Sequence, residues 1–104
     1  MKKSIGLMIS LLCAASASVA AAEWQLMTSP TSAELRGLSV LDNNIVWASG
    51  ANSTIVRSLD GQQWTPLNAP RGEFDFRDIE AFSERDAIVM SAGPGAASTL
   101  WVTQ

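Results

Sequence analysis

Tyrosine and histidine are missing from this 104-residue sequence, and cysteine occurs once. Without histidine, neither a Ser-His-Asp triad nor a histidine metal site can be assembled. A single thiol, Cys13, closes no disulfide within the chain, so a small domain must find its stability elsewhere. Lysine is confined to Lys2 and Lys3. Beyond residue 22, five arginines face ten acidic groups, a net charge of −5 that disfavours nucleic acid and anionic membranes as partners.

What is present begins with a short positive head, Lys2 and Lys3, followed by an apolar run from Ile5 to Cys13 and the small-residue stretch "ASASVAAA". This is the layout of a cleavable secretory signal spanning residues 1–22, with the cut expected between Ala22 and Glu23 and a cut after Ala20 as the alternative. The run is too short for a permanent membrane anchor. Leu12 before Cys13 is not the small residue that lipid attachment needs. The expected location is therefore exported, periplasmic or extracellular, for a remaining chain of 82 residues, enough for one small domain.

Laid over itself, that chain repeats. Trp24 recurs as Trp64 and Pro30 as Pro70 at a shift of 40; "LRGLSVL" (Leu35 to Leu41) matches "FRDIEAF" (Phe76 to Phe82) at 41. "VWASG" (Val46 to Gly50) matches "VMSAG" (Val89 to Gly93) at 43, and "TIVRS" (Thr54 to Ser58) matches "TLWVT" (Thr99 to Thr103) at 45. Insertions in the connecting turns account for the drift.

The segments alternate apolar and polar residues, and none has helical period. Strands are expected near Leu35 to Leu41, Ile45 to Ser49, Thr54 to Ser58 and Gln63 to Leu67, joined by "DNN", "GANS" and "LDGQ", residues that accept positive φ or make side-chain turns. Four strands in about 40 residues, repeated, is the period of propeller blades. The expected fold is all-β: antiparallel four-stranded blades, comprising a lone last strand in 23–34, one blade in 35–70 and an incomplete blade in 71–104. A closed propeller takes about four to eight blades. Open blade edges are accordingly expected to favour self-association, and at Gln104 the repeat expects an aspartate next.

The stretch "SLDGQQW" resembles the Asp-box, Ser/Thr-x-Asp-x-Gly-x-Thr-Trp, of sialidases and many exported bacterial propellers. Together with "LRGLSV" and "VWASG" it is similar to the photosystem II stability/assembly factor group and its bacterial relatives. Asp60 lies four residues before Trp64, where the usual box has five. The resemblance implies a non-enzymatic binding or assembly platform whose partner is a protein or peptide. Read from chemistry alone, Ser58, Asp60, Gly61 and Trp64 form a turn: the carboxylate accepts backbone N–H groups, glycine supplies positive φ, and tryptophan covers the hairpin.

The rival expectation is a fragment of a sialidase-like glycosidase with its catalytic residues on further blades; such enzymes use a tyrosine nucleophile, which this chain lacks. No catalytic residue, cofactor or metal site is expected. Glu73, Asp75, Asp78 and Glu80 cluster, but their spacing fits no calcium loop and reads as a solvated edge. Arg36 and Arg77 occupy equivalent positions and are the candidate ligand-binding pair, suited to a carboxylate or acidic peptide. Against this stands a bracing role, each arginine pairing with a local acid such as Asp78 or joining adjacent blades.

Overall fold

The computed structural model describes residues 22–104. The expected signal, 1–22, falls almost wholly outside them. Among the described residues seven strands make the fold all-β: β1 (Leu35–Val40), β2 (Val46–Gly50), β3 (Thr54–Ser58), β4 (Trp64–Pro66), β5 (Asp75–Ala81), β6 (Ala87–Ala92) and β7 (Thr99–Val102). They form two antiparallel meanders, ordered β1-β2-β3-β4 and β5-β6-β7. The strands of the first sheet fall within one residue of their expected bounds. The turns explain why: Asn44, Asn52, Ser53 and Gly61 all adopt positive φ where Asn, Ser and Gly were read as punctuation.

The two sheets are internally equivalent. Both first strands carry a bulge at the same place, between Leu35 and Gly37 in β1 and between Phe76 and Asp78 in β5. One feature of the repeat differs from the sequence match. Val40 pairs with Val46 and Leu35 with Gly50, whereas Ala81 pairs with Ala87 and Phe76 with Ser91. The structural shift therefore stays at 41 through the second strand, and the Val46-to-Val89 match at 43 is corrected by two residues. The whole insertion lies between β6 and β7, where Ser91 pairs with Thr99 while Gly50 pairs with Thr54. The extra residues include a 3-10 turn, Gly95–Ala97.

Residues 23–34, expected to hold a lone last strand, join no β-ladder among the described residues. At their end the Glu34 carbonyl accepts the N–H of Ala51 at 2.9 Å.

The core lies between the sheets. Trp47 and Ile55 of the first meet Phe76, Ile79, Ala81, Ala87 and Val89 of the second, with Phe76 and Ile79 essentially inaccessible. Contact between backbones is close at Gly37, where an added Cβ would stand 2.6 Å from Ser49 Oγ and 2.9 Å from Asp78 Cα. Two buried serines tie the docking: Ser49 Oγ donates to the Phe76 carbonyl at 3.1 Å, and Ser39 Oγ accepts the Ala81 N–H at 2.9 Å. These bonds satisfy groups that the dry interface would otherwise strand.

Candidate functional site

Two guanidiniums and two carboxylates meet where the first strands dock. Arg36 and Arg77 are the bulged residues of β1 and β5, so their side chains are re-aimed out of the regular alternation. Arg36 Nε donates to Asp75 Oδ1 at 2.9 Å, and its Nη2 donates to Glu34 Oε1 at 2.8 Å. Arg77 Nε donates to the other oxygen of Asp75, Oδ2, at 2.8 Å. The acid serving both arginines is thus Asp75. Asp78, expected as a local partner, instead accepts the N–H of Ile79 at 2.9 Å.

Desolvation pushes the Asp75 carboxyl up, but the hydrogen bonds and charges of Arg36 and Arg77 together outweigh it and hold the group below its ordinary value. Its hydrogen bond to Asp75 raises Arg36 further. Arg36 is committed to acids of both sheets and acts as a brace. Arg77 is half exposed, and its terminal N–H groups meet no acceptor among the described residues.

The Asp60 turn is a separate feature. Asp60 Oδ1 accepts the N–H groups of Gln62 and Gln63, each at 2.8 Å, and the hydroxyl of Ser58 at 3.2 Å. Ser58 Oγ in turn accepts the N–H of Gly61 at 2.8 Å. The bonds from Gln63 and Gln62 lower the Asp60 pKa, desolvation opposing them. This carboxylate caps a turn. Trp64 stands opposite Ser58 across the β3–β4 pair and directs its Nε1 to Met27 Sδ at 3.3 Å.

No protein-family model, curated protein or solved structure matches the chain. Functional reading therefore rests on its own surfaces.

The face of the first sheet turned away from the core exposes Leu35, Leu38 and Val40. On the second sheet the outward face carries Asp78 and Glu80 with exposed Phe82, Met90, Leu100 and Val102. Equivalence shows how the two sheets differ. Asp78 and Glu80 stand where β1 has Gly37 and Ser39, the residues that admit a neighbouring backbone. With two charged side chains at these positions, the outward face of β5 does not repeat the small-residue surface on which β5 docks at β1. Nor do Glu73, Asp75, Asp78 and Glu80 form a group of three metal-ligating side chains.

A cleft of about 290 Å³ opens between the sheets, lined among others by Trp47, Arg57, Leu67 and Trp101. The Arg57 guanidinium lies 5.5 Å from the centre of the Trp47 ring and donates to the Glu84 carbonyl. Arg57 Nε and Trp47 Nε1 are buried without an acceptor among the described residues. Sequence reasoning overlooked Gly37, Ser39, Ser49 and Glu34. The small residues two apart in "LRGLSV" are the signal that would have found the first two.

Proposed function

We propose that the chain is an exported, non-enzymatic binding platform built from Asp-box propeller blades, akin to the photosystem II assembly factor group. The turn held by Ser58, Asp60 and Gly61 and the two meanders, one of four strands and one of three, support the propeller reading. The partner is a protein segment that lies over the outward face of the second sheet. One observation carries this. Arg36 grips the acid of the neighbouring sheet, and Arg77, its equivalent, retains free N–H groups beside an open apolar face. A carboxylate on the partner suits the Arg77 fork, a basic residue suits Asp78 and Glu80, and apolar side chains suit Phe82, Met90, Leu100 and Val102.

A displayed peptide library tests the reading. Enriched peptides are expected to carry an Asp or Glu, with binding weakened at least tenfold by Arg77→Gln. A library that yields no binder, or binders indifferent to position 77, overturns it.

A further inference from the structure

Among the described residues a free strand edge and an unpaired segment belong to the same repeated motif. Strand β7 pairs with β6 on one side and with no strand on the other among the described residues, leaving an edge of unpaired backbone groups. In the first sheet that edge is occupied: β4 pairs with β3, Trp64 opposite Ser58 and Pro66 opposite Val56. Meanwhile Glu23 to Met27, with Trp24 matching Trp64, joins no β-ladder among the described residues, its one tie to the first sheet being the Trp64 Nε1–Met27 Sδ contact. Its Trp24 is wholly exposed and its Leu26 is 97% exposed, a large unburied apolar area on five residues.

We propose that residues 23–27 of a second copy of this chain add to the β7 edge as an antiparallel strand. The β3–β4 pair supplies the register. Ser58 is equivalent to Thr103 and Val56 to Trp101, so Trp24 of one copy falls opposite Thr103 of the other and Leu26 opposite Trp101. Side chains directly opposite share a face. Trp24 and Leu26 therefore come down beside Trp101 and Thr103, both of which line the cleft between the sheets. In the first sheet Trp64 does the same: it lines an apolar cleft with Leu38, Ala48 and Val56. Donor segment and acceptor edge are different surfaces, so the contact is head-to-tail, giving a reciprocal dimer or a longer array. It is independent of the partner proposed above.

Cross-linking between two differently substituted chains tests the contact, each also carrying Cys13→Ser. One chain carries Trp24→Cys, the other Thr103→Cys. Opposed residues lie within disulfide reach, roughly 5.5 Å between Cα atoms. A disulfide between the two chains is expected, exceeding at least tenfold that formed when Leu100→Cys, on the opposite face, replaces Thr103→Cys. Sedimentation of the unsubstituted protein should show concentration-dependent association that Leu26→Asp weakens at least tenfold. Because residues 23–27 belong to no sheet, circular dichroism should be unchanged by that substitution. The proposal is overturned by a monomer at every concentration, by association that ignores Leu26→Asp, or by a doubly substituted chain that closes its disulfide internally.

Discussion

Arg36 and Arg77, 41 positions apart, grip opposite oxygens of the single carboxylate of Asp75. One arginine comes from each sheet, so the acid is a joint between them. The Asp75 side chain is 28% exposed against 75% for Glu34, and the less solvated pair is less screened. A double-mutant cycle should thus find a larger coupling between Arg36→Ala and Asp75→Ala than between Arg36→Ala and Glu34→Ala. Equal couplings would remove the brace from the account.

Acid should loosen the same joint. Asp60 and Asp75 both have folded pKa values below the ordinary 3.8. A depressed carboxylate contributes stability that is fully present above its unfolded pKa and is lost as pH falls through the folded one. Stability from these two groups should hold at neutral pH and decline below about 3.8, measured by thermal melts. Asp75→Asn should flatten part of that decline.

Gly37→Ala should separate the sheets. Its methyl would sit 2.9 Å from backbone at Asp78, which cannot swing aside as a side-chain tip can. A loss of about 1–3 kcal/mol is expected by denaturant unfolding. At the equivalent position of the second sheet Asp78 faces outward, so Asp78→Ala meets no backbone clash and should cost less than Gly37→Ala, its effect being the loss of the acceptor for the Ile79 N–H.

Phe76 is fully buried at the centre of the contact. Phe76→Ala should cost about 3–5 kcal/mol, a large part of what a small domain has. Ser39→Ala leaves the Ala81 N–H without its partner inside the interface and should cost about 1–3 kcal/mol.

Hydrogen exchange isolates the Asp60 turn. With Asp60→Ala the amides of Gln62 and Gln63 lose their acceptor and should exchange faster, while amides of β2 keep their protection. Unchanged rates at both glutamines would show that the carboxylate does not hold the turn.

The sequence by itself determined the strands and the turns. Alternation of period two and residues tolerant of positive φ are local properties, written within five or six residues, and so are the Ser58, Asp60 and Gly61 contacts. Register was another matter: a slip of two residues leaves every side chain on its own face, so alternation alone could not separate a shift of 41 from one of 43, and ladder pairing did. Only the tertiary structure chose Asp75 for Arg36 and set Gly37 against Asp78. Those contacts join residues about 40 positions apart and exist because two sheets dock face to face, a relation that no local pattern encodes.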